Sequence, residues 1–152
     1  MPSSPRPLPR IYLAGPDVFR PDAAAVFRQL KAWCTQLGCV GLEPSDGGLA
    51  AGFQGPDAEL AQRIYDGNVA LIHQADGVLA NLVNFRGQEP DSGTVFEVGY
   101  AIALGKPVAA YGVPAGSYAE RVSATTACAP DAAGVLREEA SGLMVEGLGQ
   151  PL

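Results

Sequence analysis

The stretch from Glu89 to Pro107, EPDSGTVFEVGYAIALGKP, limits most sharply what this chain can fold into. It opens with Asp91-Ser92-Gly93-Thr94, residue types that begin helices, and closes with Gly105-Lys106-Pro107, which end them. Between Val95 and Leu104 every residue but one is apolar, aromatic or glycine, so this helix must be largely enclosed by other elements. The exception is Glu97. A carboxylate in apolar surroundings is costly unless it is paired or hydrogen-bonded. Its neighbours at one-turn spacing, Gly93, Thr94 and Ala101, are small and leave room beside it, as a nucleophile or base facing a ligand requires. A partly exposed helical glutamate is the plain alternative.

The segments before it supply the enclosure. Ile11 to Gly15 is a short apolar run stopped by Pro16, and Cys39 to Leu42 and Asp76 to Val83 are similar runs, as expected of buried parallel strands. Val26, Phe27, Leu30, Trp33 and Leu37 recur at helical spacing between Pro21-Asp22 and Gly38. From Ala58 to Gln74 a second helix is expected, with Leu60, Ala61, Ile64, Tyr65, Leu71 and Ile72 inward and His73 near its end in a surface or capping role. Asn68 falls in the same stripe, where a buried amide either ties down backbone or meets a polar ligand. With Pro107 to Tyr111 as a further strand, the order is β-α-β-α-β-α-β. That order implies a single-domain, doubly wound α/β fold, Rossmann-like or flavodoxin-like, with a parallel sheet of about five strands flanked by helices. Ligands of such sheets sit beyond the carboxyl ends of the strands, so the loops after Ala14, Leu42 and Val83 are the candidates. The long Gly-rich connection from Pro44 to Pro56 belongs with them. After Gly112 the pattern weakens: Ser117 to Ala129 is mixed, Asp131 to Ala140 is compatible with a short helix, and Gly142 to Leu152 is an ending segment.

The 152 residues suit one domain, assigned to 11–152, while residues 1–10, with four prolines among serines and arginines, form a tail expected to be disordered. A net charge of −6 argues against a polymeric nucleic-acid partner, which needs clustered Lys and Arg. No apolar run reaches membrane-spanning length and the start lacks a signal-peptide core, so a cytoplasmic protein is expected. Cys34, Cys39 and Cys128 match neither a disulfide framework nor a zinc site, and are read as reduced structural residues. No metal or cofactor is implied.

Three blocks carry a family resemblance: Ile11-Tyr12-Leu13-Ala14-Gly15-Pro16, Ala75 through Asn81, and Phe85-Arg86-Gly87 followed by Glu89 through Ala101. Together, over roughly residues 11 to 112, they resemble the nucleoside 2-deoxyribosyltransferases. The last block is the specific one, since its Asp-x-Gly-Thr-x-x-Glu-x-Gly-Tyr-Ala order carries both acids and their spacing.

The resemblance implies exchange of the nucleobase on a 2′-deoxyribonucleoside, with deoxynucleosides and free nucleobases as ligands. Glu97 matches the nucleophile, Asp91 a residue that holds the sugar hydroxyls, and Tyr12 a tyrosine that contacts the nucleophile; core packing is the alternative for Tyr12 and N-capping for Asp91. Gly15 and Pro16 would shape a loop near the sugar or base, with Phe19 close to the base; Asp76 would help position hydroxyls, and Ser92-Gly93 would add donors at a helix N-terminus. Where related sequences carry aspartate this chain has Asn68, which leaves protonation of the departing base unassigned. They also continue beyond a segment like Gly147 to Leu152 into an asparagine that reaches a neighbouring subunit; a homo-oligomer with sites near its interfaces is therefore expected, with truncation or a different completion of the site left open.

Overall fold

The structure is a computed structural model and describes residues 7–47 and 52–125. Four parallel strands form one sheet in the order β2-β1-β3-β4. They are β1 (Arg10–Ala14), β2 (Val40–Leu42), β3 (Gly77–Asn81) and β4 (Val108–Tyr111). Four α-helices accompany them, α1 (Ala23–Gln36), α2 (Asp57–Gln74), α3 (Ser92–Ala103) and α4 (Tyr118–Thr125), with 3-10 turns at Pro16–Phe19 and Pro44–Gly47. The α/β architecture with a parallel sheet between helices is the expected one. The described residues supply four of the about five strands. The expected elements at 131–140 and 142–152, Cys128, and most of the N-terminal tail lie outside the described residues.

Alternation along the strands sends side chains to two faces. Tyr12, Ala14, Val78, Ala80 and Leu82 pack with Leu71, Ile72, Val98 and Ala101 of α2 and α3. Leu13 and Leu79 pack with Phe27, Leu30 and Cys34 of α1 on the other face. Helices thus cover both sides, as a doubly wound chain requires.

The apolar stripes differ from expectation in two places. In α1 the buried line is Phe27, Leu30 and Cys34, while Trp33 is 53% exposed. In α2 only Gly67, Leu71 and Ile72 are buried, and Ile64 and Tyr65 are exposed. The reason is length. The 18 residues of α2 extend roughly 27 Å at 1.5 Å per residue, and its first half overhangs strands of five residues or fewer.

Helix α4 was hidden in the mixed segment after Gly112, although its start signal is present. Ser117-x-x-Glu120 is a capping box: the Ser117 amide donates to Glu120 Oε2 at 2.7 Å, and the Glu120 amide donates back to Ser117 Oγ at 3.2 Å. Its inward residues, Tyr118 and Val122, form a separate small cluster.

Because β2 lies on one side of β1 and β3 on the other, the chain leaves β1 and β3 in opposite directions. A crevice opens between the loops that follow these two strands.

Candidate active site

Glu97 lies on the sheet side of α3 and is 7% exposed. The Tyr12 hydroxyl, reaching up from β1, donates to Glu97 Oε1 at 2.8 Å. From α2, Asn68 Nδ2 donates to the same oxygen at 2.9 Å. Both donors converge on Oε1, and Oε2 accepts no hydrogen bond among the described residues. One oxygen is held and the other is left open.

Burial pushes the Glu97 carboxyl up to about 7; the Tyr12 and Asn68 hydrogen bonds act against that rise, and the charge of Asp91 adds to it. Tyr12 is fully buried, and desolvation followed by the Glu97 charge holds its phenol far above the ordinary range. Tyr12 therefore acts only as a donor. A carboxylate that attacks as a nucleophile must be ionised, so if Glu97 has that part activity should rise with pH through about 7, well above the usual carboxylate range near 4. Removing one donor, by Tyr12→Phe or Asn68→Ala, withdraws support from the charged form and should move this acid limb to higher pH. A kcat/KM profile from pH 5 to 9 checks both statements, and an unchanged limb in the two variants would contradict them.

Asp91 is the N-cap of α3. Its Oδ2 accepts from the Thr94 amide at 2.9 Å and the Thr94 hydroxyl at 3.0 Å, while Oδ1 is unengaged among the described residues. Capping and a ligand role use different oxygens, so the two readings are compatible. The Thr94 hydroxyl is bonded to Asp91, and Ala101 packs in the core.

Gly15 and Pro16 are buried at the end of β1, next to the crevice. A Cβ on Gly15 would stand 2.8 Å from Asn81 Cβ, so glycine is required by the close approach of β3. Phe19, 59% exposed, stacks on Phe85 with ring centroids 5.2 Å apart. Ser92 and Gly93 form the exposed first turn of α3 beside Asp91. Asp76 stands apart from this group. It precedes β3, at the opposite end of the strands, and its Oδ2 accepts from the Arg10 amide at 2.8 Å.

One cluster at the crevice was not legible in the sequence. The buried Asp17 Oδ2 accepts from Asn81 Nδ2 at 2.9 Å and from the Tyr111 hydroxyl at 3.4 Å. Burial, then the Asp17 charge, pushes the Tyr111 phenol up to about 12. Asn81 Oδ1 in turn accepts from the Val83 amide at 3.2 Å. These bonds join positions 64 and 94 residues apart, a separation at which no local sequence pattern gives a signal. His73, in the last turn of α2, is exposed and pairs with the Tyr100 hydroxyl at 2.8 Å. Lys106 Nζ caps the same helix end, donating to the carbonyls of His73 and Ala75.

The family model described as nucleoside 2-deoxyribosyltransferase matches residues 11–152. The chain belongs to that family. An uncharacterised protein of Schizosaccharomyces pombe is 36% identical over 121 residues, which is 79% of this chain and 57% of that protein. The chain thus spans a little over half of that relative. A solved 2-deoxyribosyltransferase from Leishmania mexicana is similar at 34% identity with a TM-score of 0.53, over 68% of this chain and 63% of that one. A 2-deoxyribosyltransferase from Bacillus psychrosaccharolyticus shares the fold at 23% identity and a TM-score of 0.54, over 66% of this chain and 70% of that one. No helix among the described residues is long and apolar enough to cross a membrane.

Proposed function

We propose that this chain transfers the 2-deoxyribosyl group between nucleobases by double displacement at Glu97. The observation that carries the reading is the single-sided support of the Glu97 carboxylate, with Tyr12 and Asn68 on Oε1 and nothing on Oε2 among the described residues. Glu97 Oε2 attacks the anomeric carbon, the C1′–N bond breaks, and the base leaves with the bonding electrons and takes a proton. The deoxyribosyl ester persists until a nitrogen of a second base attacks C1′, gives up its proton and releases the carboxylate by breaking the ester C1′–O bond, so the configuration at C1′ is retained. Both steps pass through a cationic sugar, which the carboxylate below it favours. Asn68 has no titratable proton, so its role is to hold Glu97. The departing base draws its proton from another source. Asp91 Oδ1 takes a sugar hydroxyl, chiefly at the 5′ end, and Gly15, Pro16 and Phe19 lie toward the base.

Assembly of copies about the site belongs to the same proposal. Tyr65 and Phe96 are large, exposed and in ring contact on the faces of α2 and α3 next to Asn68 and Glu97, an arrangement suited to burial against another subunit.

Incubation with deoxyinosine and adenine tests the chemistry. The expected products are deoxyadenosine and hypoxanthine. Release of free deoxyribose would make the protein a hydrolase instead, and absence of any product would make it a nucleoside-binding module. Free deoxynucleosides are expected to outcompete their 5′-monophosphates, because the acidic Asp91 at the 5′ end repels a phosphate dianion; the opposite preference would point to a monophosphate N-glycosidase.

A further inference from the structure

Phe19 and Phe85 belong to the loops that follow β1 and β3, the strands between which the crevice opens. Their rings lie within 24° of parallel and join the two loops across it. Arg86 covers both, its Cζ 4.7 Å from the Phe85 centroid and 5.6 Å from that of Phe19. Arg86 is also the one non-glycine residue with positive φ among those described, at 56°. That conformation is unfavourable for a side-chain-bearing residue and persists where the surroundings hold it, as at ligand clamps. Here the Phe85 amide closes the loop by donating to the Glu89 carbonyl at 2.9 Å. In a chain of net charge −6, the Arg86 guanidinium makes no ion pair or hydrogen bond among the described residues. Arg86 is exposed, and its five donors, a planar fork, have no acceptor among the described residues.

We propose that Arg86 determines nucleobase specificity by donating two hydrogen bonds to the O6/N7 edge of a 6-oxopurine, so that guanine and hypoxanthine are the preferred bases. The fork needs two neighbouring acceptors at the rim of the base, away from the sugar. A 6-oxopurine has them. Adenine sets an amino donor beside N7, and thymine sets its O4 between a methyl group and an imide N–H. The acceptor pair of cytosine begins at O2, beside the glycosidic nitrogen, where a rim residue does not reach. In this proposal the base lies against Phe19, beside Arg86, whose Cζ is 5.6 Å from the Phe19 centroid.

This inference rests on the reading above only in taking a nucleobase as the occupant of the crevice. The test therefore measures binding without turnover. Deoxyinosine and deoxyadenosine are titrated by calorimetry into the Glu97→Gln protein, and into the same protein carrying Arg86→Ala or Arg86→Lys. The expected result is a preference for deoxyinosine of roughly tenfold or more, the discrimination a bidentate arginine gives. Arg86→Ala and Arg86→Lys should both remove it, with deoxyadenosine affinity changed less than about threefold. Lysine keeps the charge and loses the planar fork. Equal losses for both nucleosides, no preference at the start, or a preference that survives in Arg86→Lys would each overturn the proposal. So would a loss seen only with deoxyinosine 5′-monophosphate, which would make Arg86 a phosphate ligand. Discrimination in binding without base exchange in the native protein would sink the transferase reading and leave this one standing.

Discussion

Replacing Glu97 by glutamine is expected to abolish base exchange, by a factor of order 10⁴ or more, and at the same time to make the protein more stable at pH 8. The first effect follows from the proposed chemistry: an amide cannot form the ester on which a second displacement would depend. The second follows from burial. The folded-state pKa of Glu97 is raised to about 7 from an ordinary 4.5, so the native state binds this proton more tightly than the unfolded chain does. The group's contribution is then most favourable below the unfolded pKa and is lost as pH rises through about 7. At 1.36 kcal/mol per unit, the buried charge costs about 3 kcal/mol at pH 8 as an upper bound. Glutamine escapes that penalty, since its carbonyl oxygen still accepts from Tyr12 and Asn68 while its amino group faces the open side. Thermal melts from pH 5 to pH 8 should show the variant ahead by several degrees at pH 8 and level with the native protein at pH 5. A less stable variant at pH 8 would refute the assignment of a destabilising buried charge.

Gly112→Ala is expected to be the most damaging small substitution among the described residues that surround the crevice. Gly112 has a φ of +72°, and a Cβ built there stands 2.4 Å from Asn81 Oδ1 and 3.3 Å from the Val83 amide nitrogen. Left-handed backbone costs an alanine about 1 kcal/mol. Expelling the Asn81 carboxamide also breaks its bonds to Val83 and Asp17, leaving buried polar groups unsatisfied at about 1–3 kcal/mol. The sum, about 3 kcal/mol, corresponds to a fall in Tm of roughly 10 °C. Base exchange should fall too, because Asp17 anchors the turn from Pro16 to Phe19 at the mouth of the site. Gly99→Ala is the matched control: it lies in α3, a Cβ there meets nothing within 4 Å, and alanine is the better helix former. Equal melting temperatures for the two variants would show that the contact between Gly112 and Asn81 is not limiting.

Much of the architecture was legible because it follows from local rules. Short apolar runs between helical periods announced parallel strands, and the lone acid in an apolar helix announced a buried carboxylate in need of hydrogen-bond donors. What escaped reading was of two kinds. Helix α4 gives little signal although Ser117 and Glu120 spell a capping box, because it has only 8 residues and few of them are large and apolar. The overhang of α2 was not foreseeable from periodicity, since a period states which residues share a face and not whether anything covers that face. Tyr65 and Ile64 continue the stripe of Leu71 and Ile72 into solvent for this reason.

Periodicity by itself determined the fold class, and the resemblance carried by the order Asp-x-Gly-Thr-x-x-Glu and its companion blocks pointed to the family and to the residue expected to react, because apolar spacing and motif order are properties of the chain. Only the tertiary structure decided how that residue is presented. Tyr12, Asn68 and Glu97 lie on three different elements, and their meeting at one oxygen depends on how α2 and α3 pack over β1. The same is true of Asp17 with Asn81 and Tyr111, and of Phe19 with Phe85. Directional contacts between distant segments depend on angles and distances that arise only when the elements pack.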